Sequence, residues 1–87
     1  MTPRLDIAAA LVEVQTKSEG QIEYETACKW AARAIACYQL HRQSGEFRWL
    51  LRAEDNRHET LEHAALIGDG GAALQQLQIS VDGYRPS

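Results

Sequence analysis

From Phe47 to Gly68 the chain steps in fours and threes through Phe47, Leu51, Glu54, His58, Leu61, Ala65 and Gly68. That spacing draws one stripe along a helix. The stripe is apolar or small except at its centre, where Glu54 and His58 stand one turn apart. Upstream, Tyr24, Cys28, Ala31, Ile35, Tyr38 and Arg42 step the same way, flanked by Ala27 and Ala34. Ser44-Gly45 separates the two patterns, with Gly45 suited to the left-handed position that ends helices. Ser18-Glu19-Gly20-Gln21 has the form of a capping box at the start of the first long pattern. The reading is therefore two long helices, about 19–43 and 46–67.

Helices joined by so short a loop lie antiparallel. Matched outward from the loop, the stripes set Arg42 opposite Phe47, Tyr38 opposite Leu51 and Ile35 opposite Glu54. Ala31 then faces His58, Cys28 faces Leu61 and Tyr24 faces Ala65. One register satisfies every pair, and bulky residues mostly meet small ones. Shorter helices are expected at both ends. Thr2-Pro3 is a helix start before the apolar run Leu5 to Val14. After Gly68-Asp69-Gly70-Gly71, Asp69 can cap a helix in which Leu74, Leu77 and Val81 recur on one side. Asp82-Gly83 is a turn, and Tyr84 to Ser87 is a tail. The expected fold class is all-α, an antiparallel helical hairpin with short terminal helices, in a single domain spanning 1–87.

Composition adds a constraint. The chain has 87 residues and is 45% hydrophobic, but much of that fraction is alanine, which buries little area. A core of this size leaves a thin margin over chain entropy, so the bundle is expected to be completed by dimerisation. The net charge is −3, with basic residues scattered. A nucleic-acid partner would call for a basic face and is excluded on that ground. The absence of an apolar run near 18 residues excludes a membrane span. No cleavage pattern follows an apolar core, so a cytoplasmic location is expected. Cys28 and Cys37 lie nine residues apart on one expected helix. That is about 13 Å along its axis, too far for a disulfide.

Glu54 and His58 are out of place on an inward stripe, because buried ionisable groups are costly unless paired. One reading pairs them by a hydrogen bond, joined by Arg57 or the Tyr38 hydroxyl. The other is a metal site in which Glu54, His58 and Glu62, at four-residue steps, present an imidazole and two carboxylates to a divalent ion. Cys28 to Ile35 on the facing helix carries no carboxylate, so further ligands would come from another copy. His58-Glu59-Thr60-Leu61-Glu62-His63 lacks the zinc-protease spacing, since position 62 is Glu. Asn56-Arg57 to Glu62-His63-Ala64-Ala65 resembles the second helix of encapsulated ferritin-like proteins, two-helix hairpins that dimerise around iron. In this chain Thr60 stands where that family has a metal glutamate, and Ala31 stands near the other ligand position. His63 points away from the stripe and reads as a solvated imidazole.

A second apolar surface remains. Trp30 and Cys37 share an edge of the first long helix, with Ile22 and Leu40 at its ends, and Trp49 and Ile67 mark the far side of the second. The terminal helices are expected to cover part of it. The rest, around Trp30, Cys37 and Trp49, is the candidate interface, because exposed aromatic patches mark contact sites. Gly68-Asp69-Gly70-Gly71 is not a phosphate loop, for it follows a helix and has no Lys after it. A single helix pair with Trp30, Ala34 and Ala53 vaguely suggests a tetratricopeptide unit, without a second copy of the period. The expected function is a non-enzymatic protein–protein interaction module, accessory subunit or regulator acting as a homo-oligomer, with no cofactor. The alternative is a ferritin-like metal-binding bundle.

Overall fold

The computed structural model describes residues 19–86. The expected N-terminal helix from Leu5 to Val14, and Ser18 of the capping box, lie outside the described residues. Three helices follow one another: α1 over Glu19–Ser44, α2 over Phe47–Ala65 and α3 over Ala72–Asp82. Both long helices stand where the spacing placed them, and the all-helical hairpin is as expected. None of the described helices is long and apolar enough to cross a membrane.

The hairpin turns on Ser44-Gly45-Glu46. Gly45 takes φ +71°, a conformation that strains any residue with a Cβ. Its amide donates to the His41 carbonyl at 2.7 Å. The Ser44 hydroxyl donates to the Leu40 carbonyl at 2.7 Å and accepts the Glu46 amide at 3.2 Å. His41 Nδ1 bonds the Glu46 carbonyl at 3.0 Å. The His41 carbonyl, one of those a helix end leaves unpaired, is thereby satisfied within the turn.

The faces that meet differ from the predicted stripes. On α2 the buried residues are Ala53, Thr60 and Ala64. Each stands one residue before its predicted counterpart, Glu54, Leu61 or Ala65. Phe47 and Leu51, expected inward, are 64% and 53% exposed. On α1, Ala31 and Tyr38 are buried as expected, but Ala27 and Ala34 replace Cys28 and Ile35 at the contact. α2 is rotated by about one residue, some 100° on a helix, while α1 turns only part of that way. The reason is size. Facing alanines let two backbones approach closely, and close packing over the full length outweighs the burial of a few larger side chains set at the edges. Thr60 is fully buried, and its hydroxyl is satisfied by the Asn56 carbonyl of its own helix at 2.8 Å.

Past α2 the chain reverses through Gly68, Gly70 and Gly71, all at positive φ. The Asp69 carboxylate accepts the amides of Gly71 at 3.1 Å and Ala73 at 2.8 Å, placing negative charge at the start of α3 as expected. α3 then packs against both long helices. Val81 is fully buried in a cluster with Ala31, Ala34, Tyr38 and Ala53, and Leu77, Ile35 and Leu50 pack around it.

Ala34→Leu is expected to cost about 1–3 kcal/mol of stability by overpacking the helix contact. Leu51→Ala should stay within about 0.5 kcal/mol of the parent, as an exposed position does. Chemical denaturation of both variants checks the rotation: the predicted stripe requires the larger loss at Leu51.

Candidate interaction face

Glu54, His58 and Glu62 are not brought to one point. Glu54 accepts Arg85 Nε at 3.2 Å and Nη2 at 3.1 Å. His58 turns outward, with its side chain 72% exposed, and pairs with Glu62 at 2.9 Å in solvent. The expected bond between Glu54 and His58 is replaced by these two separate contacts, a consequence of the one-residue rotation. Among the described residues no three His, Cys, Asp or Glu side chains are grouped as a metal ion needs.

The Glu54–Arg85 pair belongs to a charge cluster that fastens the end of α3. Arg57 reaches Asp82 with Nε at 2.6 Å and Nη2 at 3.3 Å, a two-pronged contact from a mostly buried guanidinium. The Arg57 hydrogen bond holds the Asp82 carboxyl below its ordinary range, against an opposing push from burial. Asp82 in turn raises the Arg57 guanidinium. Tyr38 reaches this cluster from α1. Burial first, then the Glu54 carboxylate, pushes its hydroxyl up to about 12, while Arg85 and Arg57 pull it back. The hydroxyl is buried and closes no hydrogen bond with good geometry. Glu54 acts on it as a nearby charge.

The opposite side of the hairpin is different. A groove of about 430 Å³ runs between α1 and α2, lined by Arg33, Ala36, Cys37, Arg52, Asp55 and Asn56. No residue of α3 contributes to it, so the C-terminal helix does not cover this side. The candidate residues Trp30, Cys37 and Trp49 gather here. Cys37 packs on the core and accepts the Asn56 amide at 3.6 Å. Arg33 lies over the Trp30 ring at 5.0 Å, and Arg48 and Arg52 lie over Trp49 at 4.8 and 5.5 Å. Both indoles are thus held flat under guanidinium groups. Trp49 is fixed further by its Nε1, which donates to the Glu46 carboxylate at 3.0 Å.

Towards the other end of the hairpin a second hollow, about 280 Å³, is lined by Glu19, Ile22, Glu23 and Leu66. Beside it, His63 is half-buried and not the solvated imidazole expected. Its Nδ1 meets Glu23 at 2.7 Å, and its Nε2 lies 3.8 Å from Glu59. One signal for this face was present in the sequence. Trp49, Arg52, Asn56, Glu59, His63 and Leu66 alternate steps of three and four, as do Glu19, Glu23, Thr26, Trp30, Arg33 and Cys37. These stripes are mixed in polarity, so hydrophobic periodicity does not find them.

Set against protein-family models, curated proteins and solved structures, the chain matches none.

Asp82→Asn should cost about 1–2 kcal/mol at neutral pH, between the values for hydrogen bonds to charge and for exposed ion pairs. Because the native Asp82 value is depressed, this stability is complete above the ordinary aspartate value of about 3.9. It is lost as pH falls through the native value. Denaturation of parent and variant should therefore converge near pH 2 and differ at pH 7. Tyr38→Phe should leave stability unchanged or raise it by up to about 1 kcal/mol, because it removes a buried unpaired hydroxyl. A loss of 2 kcal/mol or more would mean that Glu54 accepts that hydroxyl.

Proposed function

We propose that the protein is a non-enzymatic interaction module, an accessory subunit or regulator, that works as a homo-oligomer in the cytoplasm. The observation that carries this reading is the face of the hairpin opposite α3. It carries Trp30 and Trp49, each beneath arginine, and a groove between the helices lined by Arg33, Cys37 and Arg52. Rigid aromatic anchors beside a groove are what protein contacts use, since little side-chain entropy is lost on docking. The small core supports the same reading. Among the described residues it holds six alanines with Tyr38 and Val81, and a second subunit would add apolar burial to it. The metal reading of Glu54, His58 and Glu62 draws less support, because Glu54 is committed to Arg85.

Light scattering over a range of concentrations is expected to show a species heavier than the 9.7 kDa chain. Trp49→Ala should raise the dissociation constant by about tenfold or more, as truncation of a buried aromatic anchor does, with helical content unchanged. A parent chain that stays monomeric at every concentration would overturn the homo-oligomer.

A further inference from the structure

The open face is sorted by charge along its length. Near the loop it carries Arg48 and Arg52 over Trp49, and towards its middle Arg33 over Trp30. Arg33 and Arg52 form no ion pair among the described residues, while Arg48 meets Glu46 at 3.1 Å. Away from the loop the same face carries Glu19 and Glu23 at the second hollow, and Glu59 beside His63. Two acids stand among these arginines: Asp55 on the groove wall, and Glu46, which holds Arg48 and the Trp49 indole. On α2 the first turn carries Arg48 and no acid, against the helix dipole, while His63 in the last turn agrees with it.

Resting on the reading of this face as a homo-oligomer contact, we infer that two copies dock face to face and antiparallel about a two-fold axis. The loop end of each then lies over the acidic end of the other. A face that is basic at one end and acidic at the other cannot pair with a parallel copy without setting like charges together, whereas a half-turn matches both ends at once. Trp49, with Arg48 and Arg52, then reaches the hollow of Glu19, Ile22, Glu23 and Leu66 on the second copy. Trp30, nearer the axis, enters the groove at Cys37. The hollow suits this occupant, with Ile22 and Leu66 for the indole and two carboxylates for the guanidinium groups.

Reversing charge at one end and then at the other tests the arrangement. One variant carries Arg48→Glu and Arg52→Glu, the second Glu19→Arg and Glu23→Arg. Circular dichroism checks that each stays helical. Each alone should lose self-association, with a dissociation constant raised at least about tenfold. Mixed in equal amounts they should form a one-to-one heterodimer, because every contact is again between opposite charges. The parent dimer should also weaken as salt is raised. If both variants still dimerise, or the parent dimer ignores salt, the antiparallel docking is overturned while the oligomer stands. If the variants are monomeric alone and remain so when mixed, these charges do not face one another and the docking is likewise overturned. A parent that is monomeric at all concentrations removes both the docking and the homo-oligomer reading.

Discussion

The structure depends on how closely α1 and α2 approach. Ala27, Ala31 and Ala34 on one helix and Ala53 and Ala64 on the other are all buried. A Cβ methyl is the largest group that this contact tolerates along most of its length. Close backbone approach yields many small dispersion contacts and little buried apolar area per residue. It follows that larger apolar side chains are displaced to the margins. Leu50 and Ile35 turn towards α3, Trp30 and Trp49 lie on the opposite side, and Phe47 and Leu51 stay in water. A hairpin this narrow has two grooves, one on each side, and their fates differ.

The first groove is filled by α3, and charge has as large a part in that as apolar burial. Val81 contributes about 1.5–3 kcal/mol, the value for a buried aliphatic side chain. The Arg57–Asp82 and Arg85–Glu54 contacts add directional hold at the end of a helix of only 11 residues. Such a helix is too short to persist by itself in water. Its docking is therefore inseparable from the side chains that tether it. This also accounts for Glu54, which holds Arg85 at the edge of the seam and adds to the upward push that burial gives the Tyr38 hydroxyl.

What the sequence conveyed follows from which physics leaves a local mark. Helix ends are written locally. Ser44-Gly45 forced the turn, and Asp69 marked the start of α3, because capping and left-handed glycine act within a few residues. The facing sides were less legible. Spacing establishes that some stripe is buried, but adjacent stripes compete, and the eye favours the one with the larger side chains. Here the alanine stripe won because the contact is shared between two helices and rewards fit over size. Glu54 and His58 looked anomalous only against the wrong stripe. With the helix turned by one residue, His58 is an ordinary exposed histidine. The Glu23–His63 contact spans 40 residues and leaves no local trace. The open face was legible in part: Trp30, Cys37 and Trp49 were recognisable as surplus apolar surface, but its arginine and glutamate partners were not.

The second groove poses the remaining question, and the energetics of α2 bear on it. Cations near a helix start and carboxylates near its end each cost about 0.3–1 kcal/mol through the backbone dipole. α2 has no acid in its first turn, with Arg48 there and Glu62 in its last turn, where His63 is the one favourably placed base. Arg48 and Glu62 stand where an isolated helix would disfavour them. Arg48 meets Glu46 and Glu62 meets His58 in place, whereas Arg52 meets the Trp49 ring and no carboxylate among the described residues. Neighbouring α1 runs the opposite way, so its dipole offsets part of the cost without explaining why the charges are sorted. The proposed self-complementary contact would supply the missing term. It would gain opposite-charge pairing at both ends of the same face, each pair formed twice by symmetry. On that proposal the local penalty in α2 is a cost of assembly, and the same sorting would fix the direction in which two copies meet.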